Sequence, residues 1–181
     1  MIVTHGNSDV SALNATTGKT LWKFQAEGPV VFSPKVLNVV VYMSSDGDVG
    51  ANDGHLYALD ATTGSLKWTY LAQGAFPRAL VVGDGVVAFM SDEGSATEMR
   101  IDVIDAITGT LKWSDHVPHA PNSNNPELFP IKDNRVLYTE VPTQYANDIT
   151  LFARDAVTGT PKWKTAVGNL GVGHAVWTCV R

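Results

Sequence analysis

Apolar runs of three to seven residues, rich in β-branched and aromatic side chains, recur along the chain and are broken by Gly, Pro, Asp and Asn. From Gly28 they read VVF at 30–32 before Ser33-Pro34, VVVYMS at 39–44, HLYALD at 55–60 and LKWTYL at 66–71. Such composition favours strands. HLYALD alternates, with Leu56, Ala58 and Asp60 on one face and His55, Tyr57 and Leu59 on the other, the period of a strand. FPRALVV, VVAFMS, IDVID and LKWSD then repeat the same order. The pattern predicts an all-β chain of units, each with four short antiparallel strands.

The units are marked by one motif written four times. ALNATTGKTLW ends at Trp22, ALDATTGSLKW at Trp68, VIDAITGTLKW at Trp113 and ARDAVTGTPKW at Trp163. A period of about 45–50 residues with four strands per unit is the signature of propeller blades. Within the motif, Asn14, Asp60, Asp105 and Asp155 can each accept hydrogen bonds from backbone N–H groups two and three residues on, heading a turn between the third and fourth strands. Gly18, Gly64, Gly109 and Gly159 supply the positive φ of a type I turn followed by a bulge. Each tryptophan offers a flat face for packing between neighbouring blades, and its indole N–H needs an acceptor when buried. Ala12, Ala58 and Ala153, with Val103 as the exception, leave room for the ring. All twelve of these Asx, Gly and Trp positions are structural.

The pattern A-x-[DN]-x-x-T-G-x-x-x-W resembles the tryptophan-docking motif of pyrroloquinoline quinone-like propellers, the quinoprotein alcohol dehydrogenase-like superfamily. The repeats span essentially the whole chain, so residues 1–181 are expected to form a single propeller repeat domain. The resemblance implies rings of seven or eight blades, and so an arc or half-ring here rather than a closed four-bladed ring. It also implies either quinoprotein dehydrogenases or non-catalytic relatives, among them outer-membrane assembly lipoproteins, sensor domains and scaffold subunits. Fold alone does not choose between them. The family's setting suggests an extracytoplasmic location, although MIVTHGNSDV has neither a basic segment nor a long apolar stretch of a secretory signal.

Charge narrows the partners. The net charge of −5 and pI near 5.4, with 13 scattered Lys and Arg, argue against nucleic acid. No run of 18 apolar residues offers a helical membrane span. Cys179 stands alone, so the adjacent-cysteine disulfide that roofs the quinone in the dehydrogenases has no counterpart. The expectation is a scaffold without a cofactor; quinone and calcium would accompany the alternative, a fragment of a quinone-dependent alcohol or sugar dehydrogenase. A third reading is the propeller part of a large assembly subunit.

Three weaker chemical candidates remain. Asp46, Asp48, Asn52 and Asp53 in DGDVGANDG are oxygen donors of the kind Ca²⁺ takes, but Gly50 and Tyr57 stand where a helix-loop-helix site needs ligands. The bland reading is a Gly-rich turn. His116, His119 and Glu127 lie in HVPHAPNSNNPE, read as a loop in which a zinc site would lack an anchor. Lys35 and Arg78 both follow the proline of an innermost strand and could face an acidic ligand in the channel; the third equivalent is Ile131, with Lys132 next.

The chain ends also carry an expectation. MIVTHG reads as the second strand of a blade, which leaves the first blade without its inner strand, while residues around His174–Val180 alternate like one. That strand is expected to pair with Met1–Gly6 of the same chain, with that segment of a second chain, or with a further part of a longer gene product, because an apolar edge is an aggregation hazard.

Overall fold

A computed structural model describes residues 1–4, 8–30, 32–47, 54–73, 76–92, 97–119, 126–141 and 149–167. Among the described residues, fifteen strands lie in four antiparallel sheets, each running in sequence order. The first holds β1 (Ile2–Thr4), β2 (Asp9–Leu13) and β3 (Thr20–Gln25). The second holds β4 (Lys35–Leu37), β5 (Val40–Ser45), β6 (His55–Asp60) and β7 (Leu66–Leu71). The third holds β8 (Phe76–Gly83), β9 (Val86–Asp92), β10 (Glu98–Asp105) and β11 (Leu111–Pro118), and the fourth β12 (Leu128–Lys132), β13 (Arg135–Glu140), β14 (Thr150–Asp155) and β15 (Pro161–Ala166). The architecture is an arc of a β-propeller.

The core lies between the blades. Val10, Ala12 and Trp22 of the first blade meet Val41, Met43, Tyr57 and Leu59 of the second. Tyr42, Leu56, Ala58 and Trp68 on the other side of that second sheet meet Val87, Phe89 and Ile104 of the third. Met90, Met99, Ile101 and Val103 of the third then meet Val136 and Tyr138 of the fourth. A middle blade is thus apolar on both faces, which explains why β5 and β9 read as unbroken apolar runs rather than alternating ones.

The strand boundaries need two corrections. In VVF at 30–32, Val30 and Phe32 lie outside the regular strands, and Val31 lies outside the described residues. Val30 makes a single bridge to Ser45, and the regular pairing begins only at Lys35, opposite Tyr42. Pro34 has no N–H to give to a ladder, so regular pairing starts after it. The third and fourth blades show related irregularities, with register shifts between Pro77 and Ala79 and between Phe129 and Lys132, around Pro130. The second correction concerns β11, which continues through His116–Pro118 because Arg100, Met99 and Glu98 of β10 pair with those residues.

Each inner strand turns into the next through a two-residue hairpin with positive φ at both positions: Asn38 and Val39 (50° and 62°), Asp84 and Gly85 (46° and 77°), Asp133 and Asn134 (53° and 56°). These are type I′ turns, which match strand twist and favour Asn, Asp and Gly. Val39 is the misfit, a β-branched residue in the left-handed region.

Candidate functional site

The repeated motif builds the junctions between blades. In the second blade, Asp60 Oδ1 accepts hydrogen bonds from the backbone N–H groups of Thr62 (2.9 Å) and Thr63 (3.0 Å), and Gly64 N donates to the Asp60 carbonyl at 2.8 Å. Asp105 and Asp155 accept the same pair of bonds from Ile107 and Thr108 and from Val157 and Thr158. In the first blade Asn14 Oδ1 accepts from Thr16 and Thr17, an uncharged version of the same device. The four glycines have φ between 69° and 74°. A register shift sits at the same point of every third-to-fourth strand pair, as a bulge after the turn requires.

Those carboxylates are tuned by the turn. Backbone N–H donors, first Thr63 for Asp60 and Thr158 for Asp155, hold both below the usual carboxylate range, Asp155 at about 2. Asp105 is lowered chiefly by its bond to Lys112, whose Nζ lies 2.9 Å from Oδ2. Hydrogen bonds to the ionised form favour ionisation.

The motif tryptophans of the first three blades dock forward, each on the turn of the following blade. Trp22 Nε1 donates to the Ala61 carbonyl at 3.0 Å, Trp68 Nε1 to Ala106 at 3.1 Å and Trp113 Nε1 to Ala156 at 3.1 Å. The ring lies over the glycine of the same turn: a Cβ built on Gly64 would fall 2.6 Å from the Trp22 ring, on Gly109 2.7 Å from Trp68 and on Gly159 2.7 Å from Trp113. Glycine is therefore required twice, for φ and for the close approach. The sequence had shown only the first reason. Ala12, Ala58, Val103 and Ala153 stand directly across the ladder from Trp22, Trp68, Trp113 and Trp163.

Polar seams reinforce two junctions. Tyr70 of the second blade donates to Asp102 Oδ2 at 3.1 Å, and Arg100 Nε lies 2.8 Å from Asp102 Oδ1, with Asp102 fully buried. Burial, then the Asp102 charge, push the Tyr70 hydroxyl up to about 12. Arg154 of the fourth blade pairs with Asp115 of the third and donates to the Tyr138 hydroxyl (2.9 Å) and the Gly159 carbonyl (2.9 Å). Neither seam recurs in every blade, so no periodic signal in the sequence points to it.

The remaining candidates do not converge. Lys35 is exposed and pairs with Tyr42, at the level where the third blade has Val81 opposite Ala88. Arg78 lies in the irregular stretch between Pro77 and Ala79, opposite Ser91 and Met90, several positions further along the ladder. The two cations are not equivalents, because the proline before each sits at a different distance from the hairpin. Ile131 is buried among third- and fourth-blade residues. Asp46 donates its backbone N–H to Pro29, while Asp48, Asn52 and Asp53 lie outside the described residues. His116 ends up on β11, His119 bridges Val141, and Glu127 N donates to Thr139 Oγ1. Among the described residues no three His, Cys, Asp or Glu side chains are grouped to hold a metal ion.

The fold and its junctions define a pyrroloquinoline quinone-like propeller, and comparison places the chain within that class. Residues 1–167 match the family model described as outer membrane protein assembly factor BamB, and the chain belongs to this family. Among solved structures it is similar to BamB from Moraxella catarrhalis, at 20% identity and a TM-score of 0.71, covering 96% of this chain and 48% of that one. It is also similar to a europium-containing methanol dehydrogenase, at 16% identity and a TM-score of 0.66, with 93% and 40% covered. The quinohemoprotein alcohol dehydrogenase from Comamonas testosteroni gives 21% identity and a TM-score of 0.62, with 93% and 33% covered. The chain thus spans half or less of the length of each of these structures. No curated protein matches the sequence.

Proposed function

We propose that the chain is a non-catalytic propeller scaffold whose partners are proteins, in outer-membrane protein assembly as the BamB family description suggests. One observation supports this reading above the others: the recurrent carboxylates Asp60, Asp105 and Asp155 are each held by two backbone N–H groups and a nearby lysine. Their chemistry serves the junctions. A stack of docked blades is a stiff platform, and its loops are free to vary for binding. On this reading the scaffold needs neither quinone nor calcium.

The test has two arms. The purified chain is incubated with pyrroloquinoline quinone and Ca²⁺ and assayed for dye reduction with primary alcohols and sugars; no turnover is expected. Cross-linking in the native source, followed by mass spectrometry, is expected to yield envelope assembly proteins. Quinone-dependent turnover would overturn the scaffold reading and favour a dehydrogenase fragment.

A further inference from the structure

The docks that join the blades are interchangeable. Trp22, Trp68 and Trp113 donate to alanine carbonyls at 3.0, 3.1 and 3.1 Å, and each ring lies over a motif glycine. Nothing in that geometry tells one blade from another, so a ring would fit the turn of a wrong blade as well as the right one. Misassembly of this kind is a characteristic failure of repeat proteins. The residue two places after each of these tryptophans is different in every blade: Phe24, Tyr70 and Asp115.

Each of the three meets a different partner on the next blade. Phe24 packs edge-on against Tyr57, with ring centroids 5.5 Å apart. Tyr70 donates to Asp102, which holds in its own blade the place of Tyr57, three residues before the motif Asp. In the fourth blade that place belongs to Phe152, which has no donor for a carboxylate. Asp115 pairs instead with Arg154, two residues on along the same strand face. Leu59 and Ile104 stand where Arg154 does in their own blades, and both are fully buried. An aromatic pair, a hydroxyl–carboxylate bond and an ion pair thus fill corresponding parts of successive junctions.

We infer that these contacts are a recognition code that fixes the order of the blades. The pairs exclude one another. Phe24 brought against the third blade would cover Asp102 without offering its carboxylate a hydroxyl. Asp115 brought against the second blade would lose Arg154 and face Leu59, burying a carboxylate against an apolar side chain. Asp115 set against Asp102 would place two carboxylates together. Buried polar pairs add little net stability, yet they discriminate strongly between partners. The docks hold the blades, and Phe24, Tyr70 and Asp115 decide which blade is held. The code concerns how the chain assembles itself, so it applies equally to a catalytic or a non-catalytic propeller.

Refolding of the full chain tests it. Tyr70→Phe gives the second blade the outer residue of the first and removes one hydrogen bond, which should raise the unfolding equilibrium constant about fivefold. Gly85→Ala lies outside the seams, at a turn where a Cβ meets nothing, and should raise it by a similar factor. Each chain is diluted from concentrated urea. The fraction that regains the size-exclusion volume and near-ultraviolet circular dichroism of never-unfolded protein is then measured. Wild type and Gly85→Ala should recover alike, whereas Tyr70→Phe should yield about half as much native protein or less, because misdocked blades are no longer rejected. Tyr70→Asp gives the second blade the outer residue of the third, and should raise the unfolding constant about a hundredfold by setting a carboxylate against Asp102. Adding Asp102→Asn removes that repulsion and should regain about tenfold of the loss. Equal recovery of Tyr70→Phe and Gly85→Ala, or a wild type that does not regain its native form, overturns the inference. So does Tyr70→Asp if it is no less stable than Tyr70→Phe, or gains nothing from Asp102→Asn.

Discussion

Replacing Gly64 with Ala probes the junction where two demands on one glycine can be separated. The substitution places a Cβ 2.6 Å from Cδ2 of Trp22 and 2.8 Å from Cε3, in a backbone at φ 74°. The left-handed backbone alone costs an alanine about 1 kcal/mol. To regain ordinary contact the indole must retreat by roughly 1 Å, which repacks a filled interface at about 1–3 kcal/mol. That retreat also breaks the 3.0 Å bond from Trp22 Nε1 to Ala61, worth about 1 kcal/mol. The expected total is about 3–5 kcal/mol. Gly85 supplies the control. It has a φ of 77°, and a Cβ there meets nothing within 4 Å, so Gly85→Ala should cost only about 1 kcal/mol. Urea unfolding midpoints at constant m-value measure both. Equal costs at the two sites would refute the claim that the ring, and not φ alone, demands glycine at position 64.

Other expectations rest on single contacts. Val39 is a β-branched residue at φ 62° and is 60% exposed, so Val39→Gly should raise stability by about 1 kcal/mol; a lower melting temperature would contradict the strain assignment. Asp102→Ala leaves the half-buried Arg100 without this carboxylate and should cost about 3–5 kcal/mol in denaturant unfolding, and a cost below about 1 kcal/mol would show the seam to be incidental. Asp155 has a folded-state pKa of about 2, below its unfolded value of about 3.9, so its contribution is complete above pH 4 and lost as pH falls toward 2. Asp155→Asn, which copies Asn14 of the first blade, should therefore flatten the decline of melting temperature across that interval; an unchanged decline would refute it.

Much of the architecture is written in the spacing. The tryptophan period, the Asp-to-Gly turn and the β-branched runs each follow from local chemistry, so they survive without knowledge of neighbours. What the sequence hid depends on which blade faces which. The ring of Trp68 docks on Gly109, a residue of the next unit, and only the recurring Ala after each Asp hints at the acceptor. Lys35 and Arg78 look alike because both follow a proline, but the irregular pairing near Pro34 and Pro77 moves them to different levels. The seams join Tyr70 to Asp102 and Arg154 to Asp115, partners more than 30 residues apart, and recur in no fixed register. The proposed roles of Asp48, Asn52, Asp53 and residues 174–180 fall outside the described residues.

Because Trp22, Trp68 and Trp113 are each held by the turn of the blade after it, the arc has a direction. A defect in one repeat's turn is felt first by the repeat before it, whose ring loses its seat, while its own ring remains anchored further on. Stability therefore passes backward along the chain in nearest-neighbour steps. A blade inserted between two others would need only to present a glycine turn to the preceding ring and offer a ring to the following turn. Such a lineage can lengthen or shorten by whole repeats without redesigning any interface.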